Sequence, residues 1–237
     1  MIQVTQLSKR FGSRWVLRDL NLEIPDGRFV ALLGANGAGK TTLLRILATL
    51  LHPTSGNVTI NGFELPQQAS AVRRSIGLVT HQPLLYGELT AEENLRFYAR
   101  LYGIEEPAVQ IAALLELTGL SSRRGDLAQT FSRGMLQRLA IGRALLHQPP
   151  LLLLDEPYTG LDEDACRRLD DLLRQVTSQG RTILMASHDL LRAEVLADRF
   201  DVLTRGSIGA SCDKSALPSG GATAFYRSVV EMGESTL

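Results

Sequence analysis

The chain has 237 residues, of which 44% are hydrophobic, and its 25 lysines and arginines balance 25 aspartates and glutamates. This length suits one large domain, or a core with a subdomain, and provides enough apolar residues to bury a core. A formal net charge of zero without a basic block disfavours a nucleic-acid partner, whose phosphates need positive charge. The composition therefore predicts an ordinary globular protein that binds no nucleic acid.

The start of the chain and its apolar runs bear on membrane insertion. Met1–Gln3 leads into neither a basic segment nor a long apolar stretch, so we expect no signal peptide. The longest apolar runs, Phe29–Leu33 and Leu151–Leu154, are far shorter than the ~20 residues that a spanning helix needs. We therefore expect no direct membrane span, and any function in a membrane would require a separate spanning subunit.

Strands and turns dominate the first part of the chain. Strands are predicted at Ile2–Leu7 and Leu20–Ile24, joined by a turn near Gly12–Ser13. The continuous apolar run Phe29–Leu33 predicts a buried strand, which a glycine loop and a helix at Lys40–Leu51 follow. A buried strand that leads into a helix in this way predicts a mainly parallel sheet covered on both faces. Shorter strands are predicted at Gly56–Ile60 and Ile76–Thr80.

Helical periodicity marks the middle of the chain. Between Ala91 and His147 apolar residues recur at helical spacing, which predicts a helical subdomain over residues 83–150. Further strands and helices are predicted at Leu151–Leu154, Glu163–Val176, Thr182–Ser187, Leu190–Ala197 and Phe200–Leu203. A linker at Pro218–Gly221 leads to a short last helix in a tail over residues 213–237. The predicted organisation is a single domain over residues 1–237, with a core formed by residues 1–82 and 151–212.

A glycine-rich loop separates the predicted strand at Phe29–Leu33 from the helix that follows. It fits the pattern G-x-x-x-x-G-K-[ST] with Gly34, Ala35, Asn36, Gly37, Ala38, Gly39, Lys40 and Thr41. Its glycines let backbone N–H groups face phosphate oxygens at a helix N-terminus. Lys40 would reach the β- and γ-phosphates of ATP, and the Thr41 hydroxyl would bind Mg²⁺. A glycine turn that only caps a helix is the structural alternative, but this setting favours nucleotide binding by the core.

Two carboxylates follow the apolar run Leu151–Leu154. In an open α/β sheet ligands bind at the carboxyl edge of the strands, which places Asp155 and Glu156 at the same edge as the glycine loop. Asp155 suits an Mg²⁺ site, and Glu156 suits orienting and deprotonating an attacking water. A helix cap and a solvated charge are the structural alternatives, and the upstream phosphate loop favours the catalytic interpretation.

The run from Phe131 to Asp162 reads FSRGMLQRLAIGRALLHQPPLLLLDEPYTGLD. It contains a Ser/Gly turn at a helix start, an apolar strand that ends in two carboxylates, and a polar loop. This order resembles the signature, Walker B and D-loop sequences of ABC-type ATPases, and the resemblance extends over residues 2–210. It implies an α/β fold of the P-loop NTPase type, in which a mainly parallel central sheet is flanked by helices. The family fold also has an N-terminal antiparallel β part and a helical subdomain.

The resemblance implies further contacts with the nucleotide. Gln82 corresponds to the Q-loop glutamine, which touches Mg²⁺ or the attacking water, and His188 to the switch histidine at the γ-phosphate. Phe11 matches the aromatic residue that stacks on adenine. A core position for Phe11 is the structural alternative. We also expect Trp15 or Val16 to share the adenine contact. Thr42 would continue the phosphate-binding segment after the loop.

The signature of this chain departs from the usual LSGGQ. Arg133 replaces a glycine and Met135 replaces the glutamine, which leaves the fine geometry of the signature open. In the family the signature of one chain closes over the ATP bound by another copy. The resemblance therefore implies a homodimer. The residues that would act across its interface are Ser132, Arg133, Gly134 and Asp162.

One stretch is informative about the type of ABC protein. Leu78–Gly103, together with Tyr158, resembles the haem-exporter ATP-binding subunits of cytochrome c maturation. Integral-membrane permease subunits as partners and a peripheral position on the cytoplasmic face of the cell membrane are then implied. ATP-binding subunits that export drugs, lipids or polysaccharides share much of this pattern and are the alternative.

Two other classes fit the chain less well. A soluble ABC protein of translation or DNA repair usually has two cassettes or a long coiled-coil insertion, and this sequence has neither. A regulator that binds nucleotide without hydrolysis would not need Lys40, Asp155, Glu156 and His188 together. The sequence therefore favours an ATPase.

Overall fold

Ten strands form the framework of the chain in the computed structural model, which describes residues 1–234. In chain order they are β1 (Ile2–Phe11), β2 (Arg14–Ile24), β3 (Phe29–Leu33), β4 (Ser55–Ile60), β5 (Phe63–Leu65), β6 (Ile76–Val79), β7 (Leu151–Asp155), β8 (Thr182–Ser187), β9 (Arg199–Thr204) and β10 (Ser207–Asp213). The predicted tail over residues 213–237 ends in residues 235–237, which lie outside the described residues.

Eight α-helices accompany the strands within residues 1–234. They are α1 (Lys40–Leu47), α2 (Ala69–Ser75), α3 (Ala91–Leu101), α4 (Ala108–Leu117), α5 (Arg133–Leu145), α6 (Glu163–Ser178), α7 (Leu190–Leu196) and α8 (Gly221–Glu234). Over the same residues, no helix is both long enough and apolar enough to traverse a bilayer.

The first sheet is antiparallel and has the strand order β2-β1-β4-β5. Strands β1 and β2 form a hairpin that turns at Gly12, whose φ of 56° favours glycine. Both predicted strands of the hairpin are confirmed, but each continues to the turn. The longer hairpin includes Arg14 and Val16, which lie on β2 before the start of the predicted strand, and Arg14 pairs with Phe11 at the turn.

The second sheet has the order β10-β9-β3-β8-β7-β6, and its strands are parallel except for β10 at one edge. Every residue of β3, β7 and β8 is buried, as expected for central strands covered on both faces. Along β3, Phe29 and Ala31 pack into a core with residues of α3 to α6, whereas Val30 and Leu32 pack into a second core with α1 and the first sheet. The predicted α/β fold with a mainly parallel sheet and an antiparallel N-terminal part is confirmed.

Three helices, α3 to α5, occupy the predicted helical subdomain. Helix α3 starts at a capping box, in which the Thr90 hydroxyl accepts from the Glu93 N–H and the Glu93 carboxylate accepts from the Thr90 N–H. The predicted apolar face of this segment is only partly buried, because Leu95 and Ala99 are buried whereas Leu101 is 67% exposed. The domain boundaries at residues 82, 150 and 212 stay a prediction.

Several element bounds differ from the prediction. Helix α1 ends at Leu47 rather than Leu51, because Thr49 has a φ of 62° and leaves the helical path. The strands β5 and β10 and the helix α2 were not predicted. Strand β10 is partly exposed along its length, and α2 buries only Val72, so neither has an apolar run. The last helix, α8, spans 14 residues and packs against α7, β9 and β10.

Candidate nucleotide site

The glycine loop lies between β3 and α1, and its backbone excludes side chains at two points. Gly37 and Gly39 have φ values of 81° and 114°, which lie in the region that favours glycine. A Cβ atom on Gly39 would lie 2.8 Å from a methyl carbon of Leu17 and 3.1 Å from the carbonyl oxygen of Val16. The Gly39 carbonyl accepts from Leu43 at 2.9 Å, so the helix begins at the loop and directs its free N–H groups to the loop's concave side.

Lys40 is buried at the first position of α1 and is 5% exposed. Its ammonium group donates to the carbonyl of Gly34 at 2.6 Å and lies 3.4 Å from Oε1 of Glu156. A buried ammonium needs such partners, because desolvation of an unpaired charge is costly. The lysine is therefore fixed across the mouth of the loop.

Asp155 ends β7 and faces the start of α1. The Thr41 hydroxyl donates to Oδ1 of Asp155 at 3.0 Å, and Asp155 is 4% exposed. Burial raises the pKa of this carboxyl, the hydrogen bond from Thr41 acts in the opposite direction, and the charge of Glu156 adds to the increase. The hydroxyl and carboxylate are hard oxygen donors, which fit Mg²⁺ bound together with phosphate oxygens.

Glu156 follows directly and turns sharply away from the strand, with a φ of 51°. Its N–H donates to the carbonyl of Ala186 on β8 at 3.0 Å, and Oε2 lies 2.7 Å from Nδ1 of His188. The backbone N–H of His188 also donates to Oε2, at 3.3 Å. Because Oε1 faces Lys40, the carboxylate bridges the glycine loop and the segment after β8.

A cavity of about 370 Å³ opens onto Lys40, Thr41 and Glu156. We name it the phosphate cavity, after the group that the sequence predicts it to bind. Its lining residues are Arg14, Val16, Ala35, Asn36, Gly37, Gly39, Lys40, Thr41, Thr42 and Glu156. The structure therefore brings together most residues that were predicted to bind ATP. Ala38 lines an adjoining cavity, and Gly34 contributes the carbonyl that holds Lys40.

Arg14 was missed in the sequence. It pairs with Phe11 across the hairpin turn, and this strand pairing is the signal that would have placed it near the loop. Phe11 itself is 49% exposed and lies outside the lining of the described cavities, with the ammonium of Lys9 at 5.0 Å from its ring centre. Trp15 lines the adjoining cavity, of about 550 Å³, together with Tyr226 of α8. Phe11 as the adenine contact stays a prediction.

Gln82 is not brought to this cavity. It lies in the loop after β6, where it is exposed, and its carbonyl accepts from the Thr80 hydroxyl at 2.6 Å. Gln82 lies three residues after the end of β6 and nine residues before the start of α3. A contact of Gln82 with Mg²⁺ or water therefore stays a prediction.

The signature residues lie at the start of α5, which packs against α6. Ser132 caps α5 by accepting from the Met135 N–H at 3.3 Å, and a Cβ atom on Gly134 would lie 2.7 Å from that of Ala165. Asp162 caps α6 by accepting from the Ala165 N–H at 2.7 Å. The guanidinium of Arg133 lies over Gly160, in the loop between β7 and α6.

These signature and D-loop residues lie apart from the glycine loop and the side chains around it. Within residues 1–234, Ser132, Arg133, Gly134 and Asp162 line neither of the two cavities beside the glycine loop. Lys40, Asp155 and Glu156 therefore lie on one surface of the chain, and the caps of α5 and α6 lie on another.

Comparisons with known proteins agree with this geometry. The family model described as "ABC transporter" matches residues 17–159, which run from β2 to the loop after β7. The linearmycin resistance ATP-binding protein LnrL of Bacillus subtilis is 34% identical, over 100% of this chain and 78% of its own length. The bacitracin transport ATP-binding protein BcrA of Bacillus licheniformis is 38% identical, over 88% of this chain and 68% of its own.

A solved structure extends the comparison. The dimeric post-hydrolysis structure of the ATP-binding cassette MJ0796, bound to ADP and Pi, matches with a TM-score of 0.81 and 28% identity. The match covers 90% of this chain and 99% of that one. The likeness therefore includes both sheets and the helices between them.

Proposed function

The chain belongs to the ABC transporter family of ATP-binding subunits, and from this premise we propose that it hydrolyses ATP to drive a membrane exporter. The family binds and hydrolyses ATP. The observation that carries the proposal for this chain is the convergence of Lys40, Thr41, Asp155, Glu156 and His188 at one edge of the central sheet. The roles below are proposed for these residues.

Lys40 and the glycine loop bind the polyphosphate. The ammonium of Lys40 and the backbone N–H groups at the start of α1 face the β- and γ-phosphates, where they oppose the negative charge. Thr41 and Asp155 would hold Mg²⁺, and the 3.0 Å distance between their oxygens supports this proposal. The metal supplies charge neutralisation on the phosphates.

Glu156 acts as the general base. It orients a water and takes its proton while the water oxygen attacks the γ-phosphorus. The bond from that phosphorus to the bridging oxygen breaks, and the products are ADP and inorganic phosphate. His188, at 2.7 Å from the carboxylate, orients Glu156 and reaches toward the γ-phosphate. Gln82 would complete the set if movement of α3 brings it in.

A second copy completes the site. Ser132, Arg133, Gly134 and Asp162 would contact the nucleotide held by the partner chain, with Arg133 adding charge near the γ-phosphate. Two observations support this: these residues lie away from the phosphate cavity of their own chain, and the matching MJ0796 structure is a dimer. We therefore propose a homodimer with two ATP molecules between its chains.

The membrane partner is a pair of permease subunits, and we propose a docking face for them. A groove of about 770 Å³ lies between α2, β6 and the end of α3. Large apolar side chains lie exposed in its lining, including Leu50, Leu101 and Tyr102. Such apolar exposure is typical of a protein contact. We also propose a peripheral position on the cytoplasmic face of the cell membrane, which a docking face for permease subunits would support.

The cargo class is proposed from the relatives. LnrL and BcrA bear the names of antibiotic resistance and antibiotic transport proteins, so export of drug-like or lipid-like molecules is the better supported interpretation. The resemblance of Leu78–Gly103 and Tyr158 to haem exporters supports export in cytochrome c maturation, but the relatives support it less. The export of drugs or lipids is therefore our first choice, and haem export is the second.

Glu156→Gln tests the proposed mechanism, because glutamine keeps the shape of the side chain but removes the base. Phosphate release should fall at least about a hundredfold, while ATP still binds. In the presence of ATP and Mg²⁺ the variant should accumulate as a dimer, measured by light scattering as about twice the chain mass of 25.9 kDa.

Glu105→Gln is the matched control, since Glu105 is exposed in the segment between α3 and α4. It should hydrolyse ATP like the unaltered chain. Full hydrolysis by Glu156→Gln would refute the assignment of the base, and a monomer at saturating ATP would count against the shared site.

A further inference from the structure

Two buried polar side chains, Tyr158 and Asp170, and the partly buried Arg192 form a group behind the catalytic edge. The Tyr158 hydroxyl donates to Oδ1 of Asp170 at 2.6 Å, and Nη1 of Arg192 donates to Oδ2 of the same carboxylate at 2.9 Å. Tyr158 and Asp170 are 7% and 4% exposed. Both oxygens of Asp170 are therefore engaged by different segments of the chain. We name Tyr158, Asp170 and Arg192 the buried triad.

The buried triad ties together three segments that lead to the catalytic edge. Tyr158 is two residues after Glu156, in the loop that leaves β7. Asp170 lies on α6, the helix that Asp162 caps. Arg192 lies in the first turn of α7, which Asp189 caps, and Asp189 directly follows His188. A displacement of α6 relative to α7 would therefore act on both partners of the 2.7 Å contact between Glu156 and His188.

Glu156 needs such support because its backbone is held in a conformation that side chains other than glycine rarely adopt. With a φ of 51° it persists only if the surrounding structure determines it. On the upstream side the Glu156 N–H is bound to Ala186. On the downstream side the chain is fixed by Tyr158, whose carbonyl also accepts from the Leu161 N–H at 3.1 Å. Hydrogen bonds thus fix the turn at both ends, and on the downstream side this is the bond from Tyr158 to Asp170 in the buried triad.

We propose that Asp170 is a positioning residue for ATP hydrolysis, which holds Glu156 and His188 in register through Tyr158 and Arg192. The inference rests on the proposed role of Glu156 as the base. Asp170 touches neither the phosphate cavity nor its lining, so its effect is transmitted through its two partners. Small displacements of reacting groups cost large factors in rate, so a fixed register favours the chemical step rather than binding.

The raised pKa values of Tyr158 and Arg192 keep the hydrogen bonds of the buried triad the same near neutral pH. Burial and the hydrogen bond to Asp170 raise the pKa of Tyr158. The hydrogen bond to the exposed Glu163, followed by that to Asp170, raises the pKa of Arg192 against the effect of burial. Tyr158 therefore remains a donor and Arg192 remains charged wherever the chain is folded near neutral pH.

Asp170→Asn tests the inference, with Asp171→Asn as its matched control. Asparagine removes the negative charge that pairs with Arg192. With its oxygen toward Arg192, its N–H₂ group would face Tyr158, and the Tyr158 hydroxyl would have to turn from donor to acceptor, which breaks the present geometry of the buried triad. We expect kcat for ATP hydrolysis to fall about tenfold or more, while KM and the affinity for nucleotide change by less than about twofold. Asp171 is the next residue on the same helix, is exposed and pairs with Arg174, so its variant should keep kcat.

A second variant separates positioning from folding, because Asp170→Asn leaves a mostly buried arginine with one partner fewer. The triple variant Tyr158→Phe, Asp170→Leu, Arg192→Met replaces the polar group by apolar side chains, a change that often preserves stability. A melting temperature near that of the unaltered chain with kcat still reduced supports positioning. A triple variant that is equally stable and regains full kcat would show a purely structural role and overturn the inference.

The two proposals fail in different ways. If Glu156→Gln hydrolyses ATP at the normal rate, the base is misassigned. If Glu156→Gln is inactive but Asp170→Asn keeps normal kcat and KM, only the role of Asp170 is wrong. A fall in nucleotide affinity parallel to the fall in kcat would also contradict positioning, since it would indicate general damage to the fold.

Discussion

Glu156 combines an unfavourable backbone conformation with the contacts that its proposed chemistry requires. A residue other than glycine at a φ of 51° costs about 1–3 kcal/mol, and such residues cluster at functional sites. The turn directs the carboxylate away from the buried strand, between Lys40 and His188. The backbone conformation of Glu156 therefore lowers local stability, and it places the carboxylate where the proposed mechanism has the attacking water.

The placement of Asp155 also lowers stability, in this case because its carboxyl group is buried. Its pKa is raised mainly by burial, so the folded chain holds a proton there more tightly than the unfolded chain does. The stabilising contribution is complete below the ordinary carboxyl pKa and is lost as the pH rises through the folded pKa. At neutral pH the ionised carboxylate therefore opposes folding.

Asp155→Asn should consequently raise the melting temperature at pH 7 and abolish hydrolysis. Asparagine keeps the acceptor for the Thr41 hydroxyl but removes the buried charge, and with it an oxygen ligand suited to Mg²⁺. Calorimetry and phosphate release measure the two effects on one preparation. A lower melting temperature than that of the unaltered chain would mean that the charge is stabilised by the site.

Apolar patterning identifies the central strands but not the edges of the structure. The predicted strands Phe29–Leu33 and Thr182–Ser187 match β3 and β8 in both bounds, because continuous apolar runs mark strands buried on both faces. In strand β10 Gly209, Ser211 and Asp213 are exposed, and pairing with β9, rather than its own composition, makes this segment a strand. Edge strands of this kind are defined by their neighbours, so a pattern along one segment does not reveal them.

The residues of the candidate site also divide into those that a local sequence pattern predicts and those that only the folded chain brings together. Local motifs indicated Lys40, Thr41, Asp155 and Glu156, because the pattern of each segment states its chemistry. Arg14 carries no motif and reaches the phosphate cavity only through the pairing of β1 with β2. The buried triad is also absent from any motif, since its members belong to a loop and two helices that meet only in the folded chain.

Helix α5 is joined to β6 by polar contacts that make its end sensitive to pH. Nη2 of Arg143 donates to the Leu78 carbonyl at 2.7 Å, and Nε2 of His147 lies 2.9 Å from the Ile76 carbonyl. The His147 ring stacks on Tyr102, with 4.0 Å between ring centres. Burial lowers the pKa of His147, the contact with Ile76 acts in the opposite direction, and the charge of Arg143 lowers it further.

The free energy of unfolding should therefore decrease as the pH falls from about 7 to about 5. A histidine with a lowered folded pKa is protonated more readily in the unfolded chain, so acid favours unfolding in that range. Urea unfolding at a series of pH values measures the slope, and His147→Gln should make it shallower. His52 is exposed, so His52→Gln should leave the slope unchanged. An unaltered slope in His147→Gln would show that other groups control the pH dependence.

In the whole molecule, the proposed catalytic residues and the residues proposed to contact a partner chain lie on two separate surfaces. Lys40, Asp155, Glu156 and His188 converge within one chain, whereas the caps at Ser132 and Asp162 lie elsewhere. The order of the motifs along the sequence indicated both surfaces. Their relation in a dimer depends on a second chain, which a single sequence describes only through its resemblance to a family.

The cargo of the transporter is tested on the assembled complex. The proposed export of drug-like molecules predicts that the complex, purified with its permease partner and reconstituted in lipid vesicles, releases phosphate several-fold faster when such a molecule is added, because cargo binding favours closure of the motor subunits. Linearmycin and bacitracin, the antibiotics in the names of LnrL and BcrA, serve as the probes. Haem should leave the rate unchanged. Stimulation by haem and not by the antibiotics would instead favour the cytochrome c maturation system.

Trp15 is the single tryptophan of the chain, and it lies in the wall of the cavity that adjoins the phosphate loop. The guanidinium of Arg10 lies 5.4 Å from the centre of its ring, and its side chain is 39% exposed. The indole emission of the protein therefore originates at one point, in a cavity that the glycine loop also lines. Because of this placement, we expect nucleotide binding to change the tryptophan fluorescence, so that titrations need no dye or engineered label.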